Sequence, residues 1–422
     1  MKIRQAFRSR SLKDFSSLFF ANIIQKFFGL FREIITASIF GSSILYANFL
    51  LLQSVSALFS QFTIGNALKA NLLPKFTKIF SEHKVVSFRK ILSFSKKSML
   101  LLFVVSQIIQ FFIILYLDSD YSKYLLIISV FLSVTVCFNF YNNIYLTLLQ
   151  AKGKFRSYSF ATTLNEFSVA VFIYPLSVLI DVTGLVVSRI IGVLSITFAY
   201  VLPMNKQNEG YEIELKRKDF NIPTLILGNF ANIILLSSRF ISGADGGINI
   251  TYFTYSIFIL NVLLTTVVGN ISTLLLRKVS IKKNTNFMLY SLVISFLIGI
   301  GLVLGLDYFG FRLIQLIFMR GEFNLVDVEK TTIFIKQLSY SFILIFISTT
   351  LFQPFFSLDI KKSRIVRKRI SLIFITTIIF GFLLSWFLNF DVKYESLIMM
   401  YFSSFISMIL SLYSYIYYLN NN

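Results

Sequence analysis

Three ionisable residues, Lys26, Arg32 and Glu33, stand in a stretch otherwise rich in Phe, Ile and Leu, "KFFGLFREII" at 26–35. An ammonium and a guanidinium in apolar surroundings are suited to binding anions, and the planar guanidinium takes two phosphate or carboxylate oxygens at once. At bilayer mid-depth each such charge costs about 2.5–3.5 kcal/mol, so a partner or a ligand has to compensate. On a helix advancing 100° per residue, Asn22, Gln25, Lys26, Gly29, Arg32 and Glu33 fall within an arc of about 120°. A single polar stripe on an apolar helix faces protein or water, not lipid. Structural pairing of Lys26 with Glu33, two turns on, is the plain alternative. A cationic lining for an anionic substrate is the favoured reading.

Lys69, Arg189 and Arg239 are further candidates for that lining, although snorkelling to the interface also suits Lys69 and Arg239. Glu166, within a later apolar run, reads either as a counter-ion for one of these cations or as a proton-coupling group. Gly29, Pro175 and Pro354 are candidate hinges, because glycine and proline weaken a helix locally.

These residues need apolar elements to hold them, and the composition supplies them. The chain has 422 residues, of which 56% are hydrophobic and 14% charged, whereas soluble domains carry about 25% charged residues. The one cysteine, Cys137, excludes an internal disulfide, and the one histidine, His83, excludes a multi-histidine metal site. No metal and no cofactor is expected. Coupling to Na⁺, to H⁺ or to the membrane potential stays open. Twelve apolar runs are long enough to span, near 15–38, 46–72, 98–117, 124–150, 157–180, 184–203, 222–242, 250–275, 286–306, 330–356, 370–389 and 396–418.

The net charge of +21 could suggest nucleic acid, but the distribution of the 40 Lys and Arg residues argues otherwise. Most lie before the first run or after the even-numbered ones, as in "KGKFR" (152–156) and "KKSRIVRKR" (361–369). The other connections hold only Lys123, Arg312, Arg320 and Lys393. By the positive-inside rule both termini are cytoplasmic, and no nucleic-acid partner is needed.

"FFANII" at 19–24 recurs as "NFANII" at 229–234, and each copy opens a set of six runs. The expected architecture is therefore an all-α polytopic membrane protein. It would have about twelve transmembrane helices in two six-helix lobes, related by a parallel pseudo-two-fold repeat around a central cavity. The lobes would be 1–204 and 220–422, joined by a polar cytoplasmic linker, 205–219.

A cationic cavity in such a plan points to an exporter of an anion, with phosphate or pyrophosphate the best match to arginine forks. An integral membrane glycan polymerase, ligase or acyltransferase is the rival from another class. It would need catalytic polar residues in a sizeable outer loop, and the longest expected here is 307–329. Export of organic cations would require more intramembrane carboxylates than cations. A silent partner subunit is a third alternative.

"GLFREIITASIFGSS" (29–43), "GNALKANLLPKF" (65–76), "IFMRGEFNLVDV" (317–328) and "QPFFSLDIKKSR" (353–364) resemble, in matching order, segments of MurJ/MviN-type lipid II flippases. That family is a branch of the exporter superfamily (MOP) that also holds Wzx and MATE transporters. The resemblance implies alternating access, moving an undecaprenyl-pyrophosphate-linked saccharide from the cytoplasmic to the outer leaflet of the bacterial cytoplasmic membrane. Its partners would be that glycan lipid and the surrounding lipids, and the chain would act as a monomer. The family's cavity-facing basic residues of the first span match Lys26 and Arg32, with Glu33 in place of an aspartate. The chain departs from the pattern at Ala47, at Ser60 and Gln61, and around Phe258 and Asn261. It also has two spans fewer. These departures favour an O-antigen or capsule unit over lipid II itself.

Overall fold

A computed structural model of the chain describes residues 10–63, 72, 76, 88–117, 120–205, 221–265, 285–358, 360–388 and 390–420. Among the described residues every regular element is helical. Lys69, His83 and the linker beyond Asn205 lie outside them. The helices are α1 (Arg10–Phe40), α2 (Ile44–Thr63), α3 (Phe88–Leu117), α4 (Ser122–Ala151), α5 (Phe155–Ile180), α6 (Val182–Ile196), α7 (Ile222–Gly228) and α8 (Phe230–Ile241). They continue with α9 (Asn249–Leu263), α10 (Thr285–Phe318), α11 (Leu325–Ser357), α12 (Ile360–Leu388) and α13 (Val392–Asn420).

Among the described residues, eight stretches are long and apolar enough to cross a membrane, or nine with α7 and α8 as one broken span. The chain is a multi-pass membrane protein. Helix α1 differs from the eight in carrying Lys26, Arg32 and Glu33.

The chain packs as two compact units, one of residues 1–39 and 55–229, the other of residues 40–54 and 230–422. In the first unit, α5 and α6 form a hairpin turned by Asp181, whose φ of 55° is the one left-handed non-glycine backbone among the described residues. Tyr124 of α4 secures this turn, donating to the Ile180 carbonyl (3.1 Å) and accepting from the Thr183 amide (3.1 Å). Close approach within the hairpin requires glycine. A Cβ at Gly184 would stand 2.3 Å from the Leu176 carbonyl, and one at Gly192 would stand 2.9 Å from the Asn165 carbonyl oxygen. Helices α3 and α4 meet along a buried polar seam, in which the Gln110 amide donates to Ser106 (2.8 Å) and Ser133 (3.3 Å). Small hydroxylic residues hold spans together because lipid gives helices no hydrophobic reason to associate.

In the second unit, α11 packs against α9, α10 and α13. An Asn324–Asp327 capping box starts α11, and Tyr252 of α9 donates to the buried Asp327 carboxylate (3.1 Å). Helix α13 presents Ser396, Ser403, Ser404, Ser407, Ser411 and Ser414 on its buried side, again a seam of small residues.

Two sequence expectations need correction. The stretch 307–329, expected as a long outer loop, is helical through Phe318 and again from Leu325. Asp307 and Arg312 interrupt its hydropathy, but both project from an exposed side of α10 while Leu306, Ile314 and Phe318 are buried. At 34 residues α10 is about 51 Å long, more than the roughly 30 Å hydrocarbon layer. The two repeat copies also differ locally. The first lies within the unbroken α1, whereas in the second Asn229 sits at a 71° bend between α7 and α8.

Candidate functional site

Helix α1 divides lengthwise. Phe20, Ile23, Ile24, Phe27 and Phe31 are exposed, as residues facing lipid would be. On the other side Gln25, Lys26, Gly29, Arg32 and Glu33 turn inward, with Glu33 only 8% exposed. Asn22 is helical, but its side chain lies outside the described residues.

The inward edge meets α5. Gln25 donates to the Thr162 hydroxyl (2.7 Å), and the Phe28 and Phe167 rings meet edge to face at 5.4 Å. Between these contacts the Arg32 guanidinium is held by two carboxylates. Its Nε and Nη2 donate to Glu33 Oε1 at 3.2 and 3.0 Å, and its Nη1 donates to Glu166 Oε2 at 3.1 Å. Asn165 Nδ2 contacts the other Glu166 oxygen at 3.4 Å. The Lys26 ammonium lies in the field of this cluster, attracted by Glu166 and repelled by Arg32. Two cations and two anions thus stand together, so the cluster is formally neutral. In place of the alternative Lys26–Glu33 pairing, Glu33 pairs with Arg32, its neighbour on α1.

Sequence reading gave Glu166 two roles, counter-ion or proton-coupling group; in the structure its Oε2 accepts from Arg32 Nη1 at 3.1 Å. The hairpin fixes its position. Gly192 of α6 lies against Asn165 and Val169, so the fit of α6 sets the rotation of α5 that aims Glu166 at α1.

The other candidates lie elsewhere. Arg189 is half-buried on α6. Arg239, in the second unit, donates through Nη2 to the Leu50 carbonyl (3.2 Å) and to Gln53 Oε1 (2.9 Å). Pro175 lies near the end of α5, Pro354 in the last turn of α11, and Gly29 in unbroken α1 with open space where a Cβ would stand.

One functional-looking cation was missed. Arg367, read above among loop cations, is 1% exposed. Its Nη2 donates to the Phe355 and Leu358 carbonyls at 3.2 and 3.1 Å, its Nε donates to the Ser363 hydroxyl at 2.8 Å, and its guanidinium lies 5.1 Å from the Phe355 ring centre. It closes the end of α11, where the last carbonyls have no helical partners. Among the described residues no group of three or more His, Cys, Asp or Glu could hold a metal ion.

The sequence matches no protein-family model and no curated protein. The fold does match solved structures. The lipid II flippase MurJ, in an inward closed conformation, superposes with a TM-score of 0.72 at 19% identity, covering 94% of this chain and 86% of that one. An outward-facing multidrug resistance MATE transporter of the MOP superfamily gives 0.60 at 13% identity, covering 96% and 93%. A MOP superfamily transporter from Pyrococcus furiosus gives 0.54 at 12% identity, covering 97% and 95%. The chain has the fold these exporters share.

Proposed function

We propose that this chain is an alternating-access flippase that carries a polyprenyl-pyrophosphate-linked saccharide from the cytoplasmic to the outer leaflet of a bacterial inner membrane. In this reading it is a twelve-span protein of two six-span halves with both termini cytoplasmic, and it performs no covalent chemistry. The observation that carries the reading is Arg32, half-buried on a helix whose opposite side is apolar, with its guanidinium edges held by two carboxylates. The fold shared with a lipid II flippase supports it. Lys26, in the field of the same cluster, adds a second cation for the headgroup. The saccharide is an O-antigen or capsule unit in preference to lipid II, given the neutral residues at Ser60, Gln61 and Asn261.

The test is outer-leaflet accumulation of the lipid-linked saccharide, with membrane protein levels measured in parallel. Arg32→Ala should abolish flipping, Arg32→Lys should retain a fraction, and Lys26→Arg should be tolerated. If Arg32→Ala and Lys26→Ala both flip at the native rate, the cations are structural and the reading fails.

Glu33 and Glu166 in the same cluster favour a second reading, MATE-like export of a small organic cation. There Glu166→Gln would block export and Arg32→Ala would leave it intact.

A further inference from the structure

Both working edges of the Arg32 guanidinium are occupied. An anionic headgroup that takes a fork of two N–H groups has to displace one of the two carboxylates. Glu33 is the harder to move. It neighbours Arg32 on the same helix, accepts two bonds from it and has an 11% exposed side chain. Glu166 holds a single bond, comes from another helix, and has a 28% exposed side chain. Displaced from Arg32, it keeps an attractive partner in Lys26. The two helices would not separate, because Gln25–Thr162 and Phe28–Phe167 still join them.

We infer that Glu166 is a resident competitor for the headgroup: its carboxylate occupies the Arg32 edge that the substrate needs, and its return helps expel the headgroup. The inference rests on the reading of Arg32 as the anion-holding group. It makes Glu166 a positioning residue that lowers anion affinity and thereby speeds release. A purely structural counter-ion would behave differently, since its loss destabilises the fold without tightening ligand binding.

The experiment measures binding of farnesyl diphosphate, a short polyprenyl diphosphate, to the purified full chain in nanodiscs, beside flipping of the native saccharide lipid. Glu166→Gln should bind the probe about tenfold more tightly, the scale set by removing one competing charge at this distance in a partly solvated site. Its flipping should be slower than that of the native chain. Glu166→Asp, which keeps the charge on a shorter arm, should fall between the two, and it decides the matter if Glu166→Gln does not accumulate. Unchanged or weaker binding by these variants, with binding still lost in Arg32→Ala, overturns this inference alone. Binding that survives Arg32→Ala, or no binding to the native chain, overturns it together with the reading of the site.

Discussion

Arg32 takes its carboxylate partners from its own helix and from α5. The stripe Gln25, Lys26, Gly29, Arg32, Glu33 was legible because helical phase and hydrophobicity both single it out. What phase could not show was which carboxylate pairs with which cation, since that depends on a helix more than a hundred residues later. Arg367 was misread for a similar reason. Counting charges in "KKSRIVRKR" treats its basic residues alike, whereas only the packing against α11 separates the buried one from exposed Arg364, Lys368 and Arg369. Removing Arg367 leaves the buried Phe355 carbonyl and the half-buried Leu358 carbonyl without these bonds. Arg367→Ala should therefore cost about 2–4 kcal/mol of stability, read as a lower thermal midpoint of the purified protein. Arg367→Lys should recover part of it, having the charge without the fork. Arg364→Ala is the exposed control and should shift the midpoint little. Equal effects of the Arg364 and Arg367 substitutions would show that burial at this site does not matter.

At the scale of elements, hydropathy located the stretches that are long and apolar enough to span among the described residues, because a helix in lipid has to be continuously apolar. It failed where a helix runs beyond the membrane, as in α10, and where backbone geometry bends one, as at Asn229. The α5–α6 hairpin shows a constraint that hydropathy does not register. Gly184 and Gly192 lie two turns apart, with buried Ser188 between them, and form a seam of small residues against α5. At Gly184 the obstruction is the Leu176 backbone, which cannot rotate away, so Gly184→Ala should strongly reduce folded protein. At Gly192 the contacts are the Val169 and Asn165 side chains and the Asn165 carbonyl oxygen, each 2.6–2.9 Å from a built Cβ. Gly192→Ala should cost less stability but push Asn165 and its neighbour Glu166 out of line. Its signature would be near-native protein levels with altered diphosphate affinity. Gly29→Ala meets open space and should improve helix propensity by about 1 kcal/mol. Normal levels with lost flipping in that variant would support the hinge role, and normal flipping would remove it.

For the whole molecule, the expected orientation rests on where exposed cations lie along the chain. The turn between α4 and α5 carries exposed Lys152, Lys154 and Arg156, and the start of α12 carries exposed Arg364, Lys368 and Arg369. Each such residue near an anionic leaflet contributes about 1 kcal/mol. In the connections after α10 and α12 the cations serve local structure. Arg320 donates to the Ile317 and Leu316 carbonyls at the end of α10, at 3.2 and 3.1 Å, and the Lys393 ammonium lies 5.6 Å from the Phe334 and Tyr394 ring centres. The positive-inside expectation thus rests on exposure as well as on number. Single cysteines can test it, because the native Cys137 is buried within α4 and should contribute little background. Cysteines at Asp120, between α3 and α4, and at Glu322, between α10 and α11, should react with a membrane-impermeant maleimide added to intact cells. Cysteines at Lys154 and Arg364 should react only after the membrane is opened. The reverse pattern would invert every span, place the Arg364 cluster outside, and turn the proposed export direction into import.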